Sequence, residues 1–420
     1  MAAVSATADV VIVGAGPAGL AAADGLARAG ADVRVIEREQ AAGGIPRHCE
    51  HGGFGLRDLR RSLTGPDYAA RCAERAAAGG AEIMLGTQVT GWSADGALIL
   101  AGARGPQTLA ARAVLLATGC RERPRAARAI PGSRPRGVFT TGTLQRLVAA
   151  GERPVGHRAV IVGAEHVSYS ALQTLRHGGA RAAVMTTELD RAQTFAAVAA
   201  AARLLLRVPL LTRTAIAAVH GRGRVEAVDL LDLGGGGTQR VACDTVILTG
   251  DWIPEREVAQ LAGVTLDRGT GGPRVDGEGR TDRVGLFAAG NILHGAEPAD
   301  VAALEGRSVA RSIGEYLGGA GWPARSAAIE VAPPLAWIVP NALPVLRDTR
   351  FKLRSSVAAR RAEVRVEQAG RVIATARARG LAPGRGGRLA ADWAGDAEPG
   401  EPLTITLASA ATRRARAARA

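Results

Sequence analysis

The feature that most constrains this chain is Gly14-x-Gly16-x-x-Gly19, set between the β-branched run Asp9 to Val13 and an Ala-rich stretch that ends at Gly30. The run reads as a strand buried in a parallel sheet, and the stretch after it as a helix. Gly14 permits the tight turn, Gly16 lets backbone amides approach a pyrophosphate, and Gly19 lets the helix pack closely on the strand. The helix N-terminus then faces the anion. Val33 to Glu37 closes the unit as a second strand. Glu37 stands where a carboxylate accepts hydrogen bonds from a ribose diol. Pro17, Ala18 and Arg38 flank these positions and belong to the same expected nucleotide site.

A second unit of this kind starts at Ala159 to Val162, turns at Gly163, runs as a helix to His177 and returns at Ala182 to Thr186. Its turn reads Gly163-Ala-Glu165-His-Val-Ser168, with Glu165 in the place of the glycine that makes room for a pyrophosphate. Bulk and Coulomb repulsion both oppose a dinucleotide there. Glu188 could still hold a ribose, so two readings stay open: an NAD(P) site, or a unit kept as scaffold. Short strands at Val114 to Ala117, Val246 to Leu248 and Leu286 to Ala288 end in Gly-containing turns. A helix from Pro298 to Leu317 follows, with Val301, Leu304, Val309 and Ile313 on one face. Past Trp322, five prolines between Pro323 and Pro344 lead into alternating segments around Val364, Arg371 to Thr375 and Leu403 to Leu407, a small β domain with a hairpin at Ala369-Gly370.

Composition excludes several classes. Apolar residues are 47% of the chain and aromatics 3%, so the cores must be built from Ala, Val and Leu. The net charge of +14 is almost all arginine, but no basic stripe interleaved with aromatics accompanies it, and nucleic-acid binding is not expected. The N-terminus lacks a basic n-region and a cleavage site, and no apolar run is long enough to span a bilayer, which points to a cytoplasmic protein without membrane insertion. Cys49, Cys72, Cys120 and Cys243 form no C-x-x-C, and no His/Cys cluster suggests a metal.

Two further motifs follow in order: Leu116-Ala-Thr118-Gly119, and Thr281 leading to Phe287-Ala-Ala-Gly290-Asn291. From about residue 8 to 320 the chain resembles flavoproteins with two dinucleotide-binding domains, the pyridine nucleotide-disulfide oxidoreductase group. The resemblance implies FAD on the first unit, the Thr118-Gly119 turn closing that domain, and Gly290-Asn291 holding the ribityl chain, with Asn291 where an aspartate is usual. Gly43-Gly44-Ile-Pro-Arg47-His48-Cys49 and Gly119-Cys-Arg-Glu-Arg-Pro-Arg125 resemble a subgroup that includes the FAD subunits of opine oxidase and hydrogen cyanide synthase, and flavoproteins accompanying anaerobic glycerol-3-phosphate dehydrogenases. It implies Gly44 at the cofactor and a small iron–sulfur or second flavoprotein partner. The fold expected is α/β, two interleaved Rossmann-like domains plus a small C-terminal β domain. Residues 1–150 and 256–322 form the FAD domain, 151–255 the NAD(P)-like domain, 323–408 the β domain and 409–420 a basic disordered tail.

The redox cysteine pair of the disulfide reductases is missing. Cys49 stands alone among Arg47, His48 and His51, a cationic setting that can lower a thiol pKa. It is the candidate redox cysteine, and His48 and His51 are the candidate proton carriers. A Cys49–Cys120 disulfide, and Arg121, Arg123 and Arg125 as a clamp for an anionic substrate, are weaker candidates. The function expected is an FAD-dependent dehydrogenase or electron-transfer flavoprotein, oxidising a small amine, opine or hydroxy acid and passing electrons to a partner protein, quinone or oxygen. The alternatives are an NAD(P)H-dependent flavin oxidoreductase and a non-catalytic flavin-binding subunit; homo-oligomers are open.

Overall fold

The computed structural model describes residues 6–408 apart from 104, 152–153, 296, 324–326, 346–348, 385 and 399; the basic tail 409–420 lies outside the described residues. Strand β1 (Ala6–Val13) pairs in parallel with β2 (Val33–Ile36), and β2 with β3 (Glu82–Met84). On its other side β1 pairs in parallel with β6 (Gly105–Leu116), which is reached through the antiparallel strands β4 (Gln88–Trp92) and β5 (Leu98–Gly102). Val10, Ile12, Val35 and Leu115 are wholly buried, as expected of a sheet covered on both faces. Helix α1 (Pro17–Arg28) starts with Pro at its first position, where a missing N–H costs nothing. Helix α2 (Gly65–Ala78) is capped by Thr64, whose hydroxyl accepts from the Asp67 N–H.

The chain then crosses through β7 (Cys120–Glu122) into β8 (Val138–Thr140), α3 (Thr141–Ala149), β9 (Arg158–Val162), α4 (His166–His177), β10 (Arg181–Thr186), α5 (Ala196–Leu204) and β11 (Leu210–Leu211). An antiparallel meander of β12 (Thr214–His220), β13 (Ala227–Asp232) and β14 (Thr238–Ala242) follows, and β15 (Thr245–Leu248) closes the second sheet. That sheet is parallel, in the order β11-β10-β9-β15-β8. Its edge strand β8 precedes the boundary expected at 151. The Gly- and Arg-rich stretch before β8 hides the change of sheet, because a three-residue strand carries almost no periodic signal. The return crossing, β16 (Trp252–Pro254), pairs antiparallel with β7.

After α6 (Glu257–Leu261), β17 (Leu286–Ala288) extends the first sheet beside β6, and α7 (Ala299–Leu317) packs on α1. The contact is made by small residues: a Cβ on Gly306 would lie 2.0 Å from the Ala18 carbonyl. Val309 and Ile313 are buried there as expected, whereas Leu304 is exposed and lines a cleft together with Val301.

The C-terminal domain is a seven-stranded sheet of β18 (Ile329–Val331), β19 (Leu335–Val339), β20 (Arg350–Ser355), β21 (Ala359–Gln368), β22 (Arg371–Leu381), β23 (Gly387–Ala390) and β24 (Leu403–Leu407). Its order is β18-β24-β21-β22-β23-β20-β19, and a bridge between Ala328 and Ala342 brings its two ends together. Phe351, Val364, Val366 and Leu403 are fully buried inside it. Glu367 and Gln368 of β21 pair with Val372 and Arg371 of β22 across the Ala369-Gly370 turn, where both residues have positive φ.

Candidate functional site

One cleft of about 3310 Å³ opens between the three domains. Its floor is the turn after β1. Gly14 has φ +107°, and a Cβ there would sit 2.5 Å from the Ala117 carbonyl, so only glycine fits. Gly19 is packed as tightly, 2.0 Å from the Gly14 carbonyl. Gly16, by contrast, would point a Cβ into open space within the cleft. A Cβ on Gly44, at φ +63°, would fall 2.9 Å from Gly16 Cα. Glu37 is buried, with one carboxylate oxygen accepting from the Ala15 N–H and the other from the Glu39 N–H, both at 2.9 Å. Pro17, Ala18, Arg38, Thr118 and Gly119 line the same wall, and Thr118 Oγ1 donates to the Glu255 carbonyl at 2.6 Å. The rigid glycines set the turn while Gly16 leaves the space, which is the arrangement a pyrophosphate on a helix N-terminus requires.

The second unit is built differently. Helix α4 begins after Glu165, and Ser168 closes its first turn: the Ser168 Oγ accepts from the Glu165 N–H at 3.0 Å and shares a 2.6 Å hydrogen bond with Thr249. The Glu165 carboxylate lies against Gly250, where a Cβ would approach it to 2.4 Å. Burial pushes its carboxyl up, against the pull of Arg354 from the β domain and of Arg128.

The family follows from comparison with known proteins. Residues 8–306 match the model of the pyridine nucleotide-disulphide oxidoreductases. The chain belongs to that family. Members are FAD-dependent oxidoreductases, and the cradle around Gly14, Gly16 and Glu37 fits FAD. An opine oxidase subunit of Rhizobium meliloti is 30% identical over 70% of this chain and 60% of its own length, so the chain spans less than two thirds of that relative. Thioredoxin reductase of Treponema pallidum is 30% identical over 68% of the chain and 88% of its own length. Among solved structures, T. acidophilum thioredoxin reductase superposes with a TM-score of 0.62 at 22% identity, over 74% of this chain and 98% of its own, which shows the fold.

As a family member the chain departs from a disulfide reductase at its cysteines, none of which is in a disulfide. Cys49 lines the cleft, but the cations beside it in sequence turn elsewhere: Arg47 and His48 both face Glu39. The thiol donates to the Ile45 carbonyl, and burial pushes its pKa up to about 12. The expected cationic activation of Cys49 is therefore absent. His48 is half-buried, with its pKa lowered by burial and by Arg47, and does not line the cleft. His51 does, with Nε2 2.6 Å from Ser170 Oγ on α4, a link between the two dinucleotide units. The arginine clamp also fails. Arg125 donates to the carbonyls of Ile130, Pro131 and Ser133, Arg123 pairs with Asp251, and Arg121 with Glu255 and Glu257.

Asn291 lines the cleft as expected, but its amide is turned to the protein. It clasps the Glu297 main chain, donating to the carbonyl and accepting the N–H, both at 3.1 Å. An aspartate could not do both, which accounts for the amide at this position. Three further residues escaped the sequence. At the start of α7, Lys352 from β20 pairs with Glu305 and stands 3.4 Å from His294 Nε2 and 3.8 Å from Glu297. Burial raises the Glu305 carboxyl, but Lys352 and His294 outweigh it and hold it at about 2. Glu122, on the β7 crossing, accepts from the Gly142 N–H at 2.9 Å, and burial lifts its pKa to about 7. No signal in the sequence marks Lys352, Glu305 or Glu122, whose partners are set by tertiary packing.

Proposed function

We propose that the protein is an FAD-dependent dehydrogenase or electron-transfer flavoprotein that oxidises a small amine, opine or hydroxy acid and hands the electrons to a partner protein, a quinone or oxygen. FAD, when bound, supplies the two-electron redox chemistry. The chain's own residues bind, orient and move protons. Gly14, Gly16 and Glu37 seat the nucleotide, Asn291 fixes the Glu297 loop, and His51 carries a proton between the cleft and Ser170. The observation that carries the reading is Glu165, a carboxylate lying against Gly250 in the turn where a nicotinamide dinucleotide would place its pyrophosphate. The bulk of its side chain at that turn disfavours NAD(P)H as reductant, and Cys49, with its pKa raised by burial and no disulfide, disfavours a dithiol relay. The likeness to an opine oxidase component supports the substrate class and an assembly with a second protein.

The test is anaerobic. NADH and then NADPH are added to the purified FAD-loaded protein while the visible flavin absorbance is followed, and then amines, opines and hydroxy acids are added in turn. The expected result is no bleaching by either nicotinamide and bleaching by a carboxylate-bearing amine or hydroxy acid. Rapid bleaching by NADPH would replace this reading with an NAD(P)H oxidoreductase, which the intact first turn of α4 and its Ser168 hydrogen bond favour. Flavin that dithionite reduces but no organic donor does would favour a non-catalytic role.

A further inference from the structure

The family match ends at residue 306, before the C-terminal β domain. Its outer face carries a row of cations. Arg361 of β21 stands opposite Arg379 of β22, Arg379 opposite Arg388 of β23, and Arg388 opposite Lys352 of β20. Residues directly opposite share a face of the sheet, and like charges so placed destabilise it. The inward neighbours Phe351, Ala378 and Leu389 are buried, which fixes the cations on the other side. Only Lys352 of the row has an ion pair among the described residues, with Glu297 and Glu305; Arg379 and Arg388 have none. Arg350, two residues before Lys352 on the same face, adds a further charge.

This face does not look onto open solvent. Arg350, Lys352, Arg379 and Arg388 line the same cleft as Gly16, Thr118 and Asn291. The loop joining β22 to β23 packs Gly384 against Gln193 of the second unit, where a Cβ would fall 2.3 Å from the Gln193 side chain. Neighbouring guanidiniums without an ion pair among the described residues, on a cleft wall, match carboxylate and phosphate oxygens, which guanidinium recognises in bidentate fashion.

We propose that Arg379 and Arg388 form a binding site for a small dianion, a dicarboxylate or a phosphorylated acid, which the β domain presents to the flavin cleft. Taken as a substrate subsite, the proposal rests on the function proposed above; as a binding site it stands without it. Both side chains are exposed, so the double variant Arg379→Gln/Arg388→Gln keeps the fold. Binding is read on the oxidised FAD-loaded full chain by calorimetry, with glutarate, inorganic phosphate and uncharged glutaramide as probes. Glutarate or phosphate should bind, glutaramide should not, and the double variant should bind at least tenfold more weakly with its flavin content and visible spectrum unchanged. Tighter binding of phosphate than of glutarate would identify a phosphorylated ligand. Equal affinity in the variant, or no binding of either anion, would overturn the site. Salt-sensitive retention on heparin without glutarate binding would overturn it too, and give the row to a macromolecular polyanion. The readout needs no turnover. If no amine or hydroxy acid reduces the flavin, anion binding still stands; if one does with KM unchanged in the variant, the subsite falls and the function survives.

Discussion

Glu122 shows how one buried side chain couples this protein to pH. Its carboxyl is lifted to about 7, chiefly by burial and against the Gly142 N–H, from an ordinary value of 4.5. Burial favours the neutral form, so between those two pH values the native state keeps a proton that the unfolded chain has released. Stability therefore falls as pH rises from about 4.5 to 7, and above 7 the native state carries the whole penalty. Replacing Glu122 by Gln removes the titration. The variant should match the parent near pH 4.5 and exceed it at pH 8 by an amount on the order of 3 kcal/mol, checked by urea unfolding at both pH values. Equal differences at the two pH values would mean that Glu122 titrates normally.

Among the elements, the β1 turn separates what folds from what binds. Gly14→Ala places a Cβ 2.5 Å from the Ala117 carbonyl at φ +107°, and should cost about 1–3 kcal/mol of stability besides flavin. A Cβ at Gly16 meets nothing within 4 Å, so Gly16→Ala should leave the unfolding of the apoprotein almost unchanged, while FAD affinity drops at least tenfold, measured by fluorescence of released flavin. Such turns were legible in the sequence because glycine spacing, strand and helix lie within a few tens of residues and each obeys a local steric rule. Helix α4 was legible for the same reason. Arg121, Arg123 and Arg125 misled because a guanidinium in sequence does not reveal its acceptor, and here each found one in the protein. Cys49 misled in the same way, its cationic neighbours being drawn to Glu39. Strand β8 was invisible, and so was β20 as a site element, because its alternation of Phe351, Leu353 and Ser355 inward with Arg350, Lys352 and Arg354 outward needs the partner domains to acquire meaning.

Across the whole molecule, the β domain touches both dinucleotide units, through Lys352 at Glu305 of α7 and through Gly384 at Gln193, with Arg354 facing Glu165. Lys352→Met should leave Glu305 without its cation and cost roughly 2 kcal/mol. It should also speed proteolytic release of the β domain, followed by timed digestion and mass spectrometry; an unchanged digestion rate would show that the contact does not hold the domain. The two crossings between the units, β7 and β16, pair antiparallel, with Trp252 opposite Glu122 and Pro254 opposite Cys120. Alone, such a two-stranded ribbon is an axle about which one unit can turn past the other. With the β domain in contact on both sides of it, the axle is braced at two further points, Lys352 at Glu305 and Gly384 at Gln193. On the function proposed above, electrons would then leave through the cleft mouth, to an acceptor that comes to the flavin.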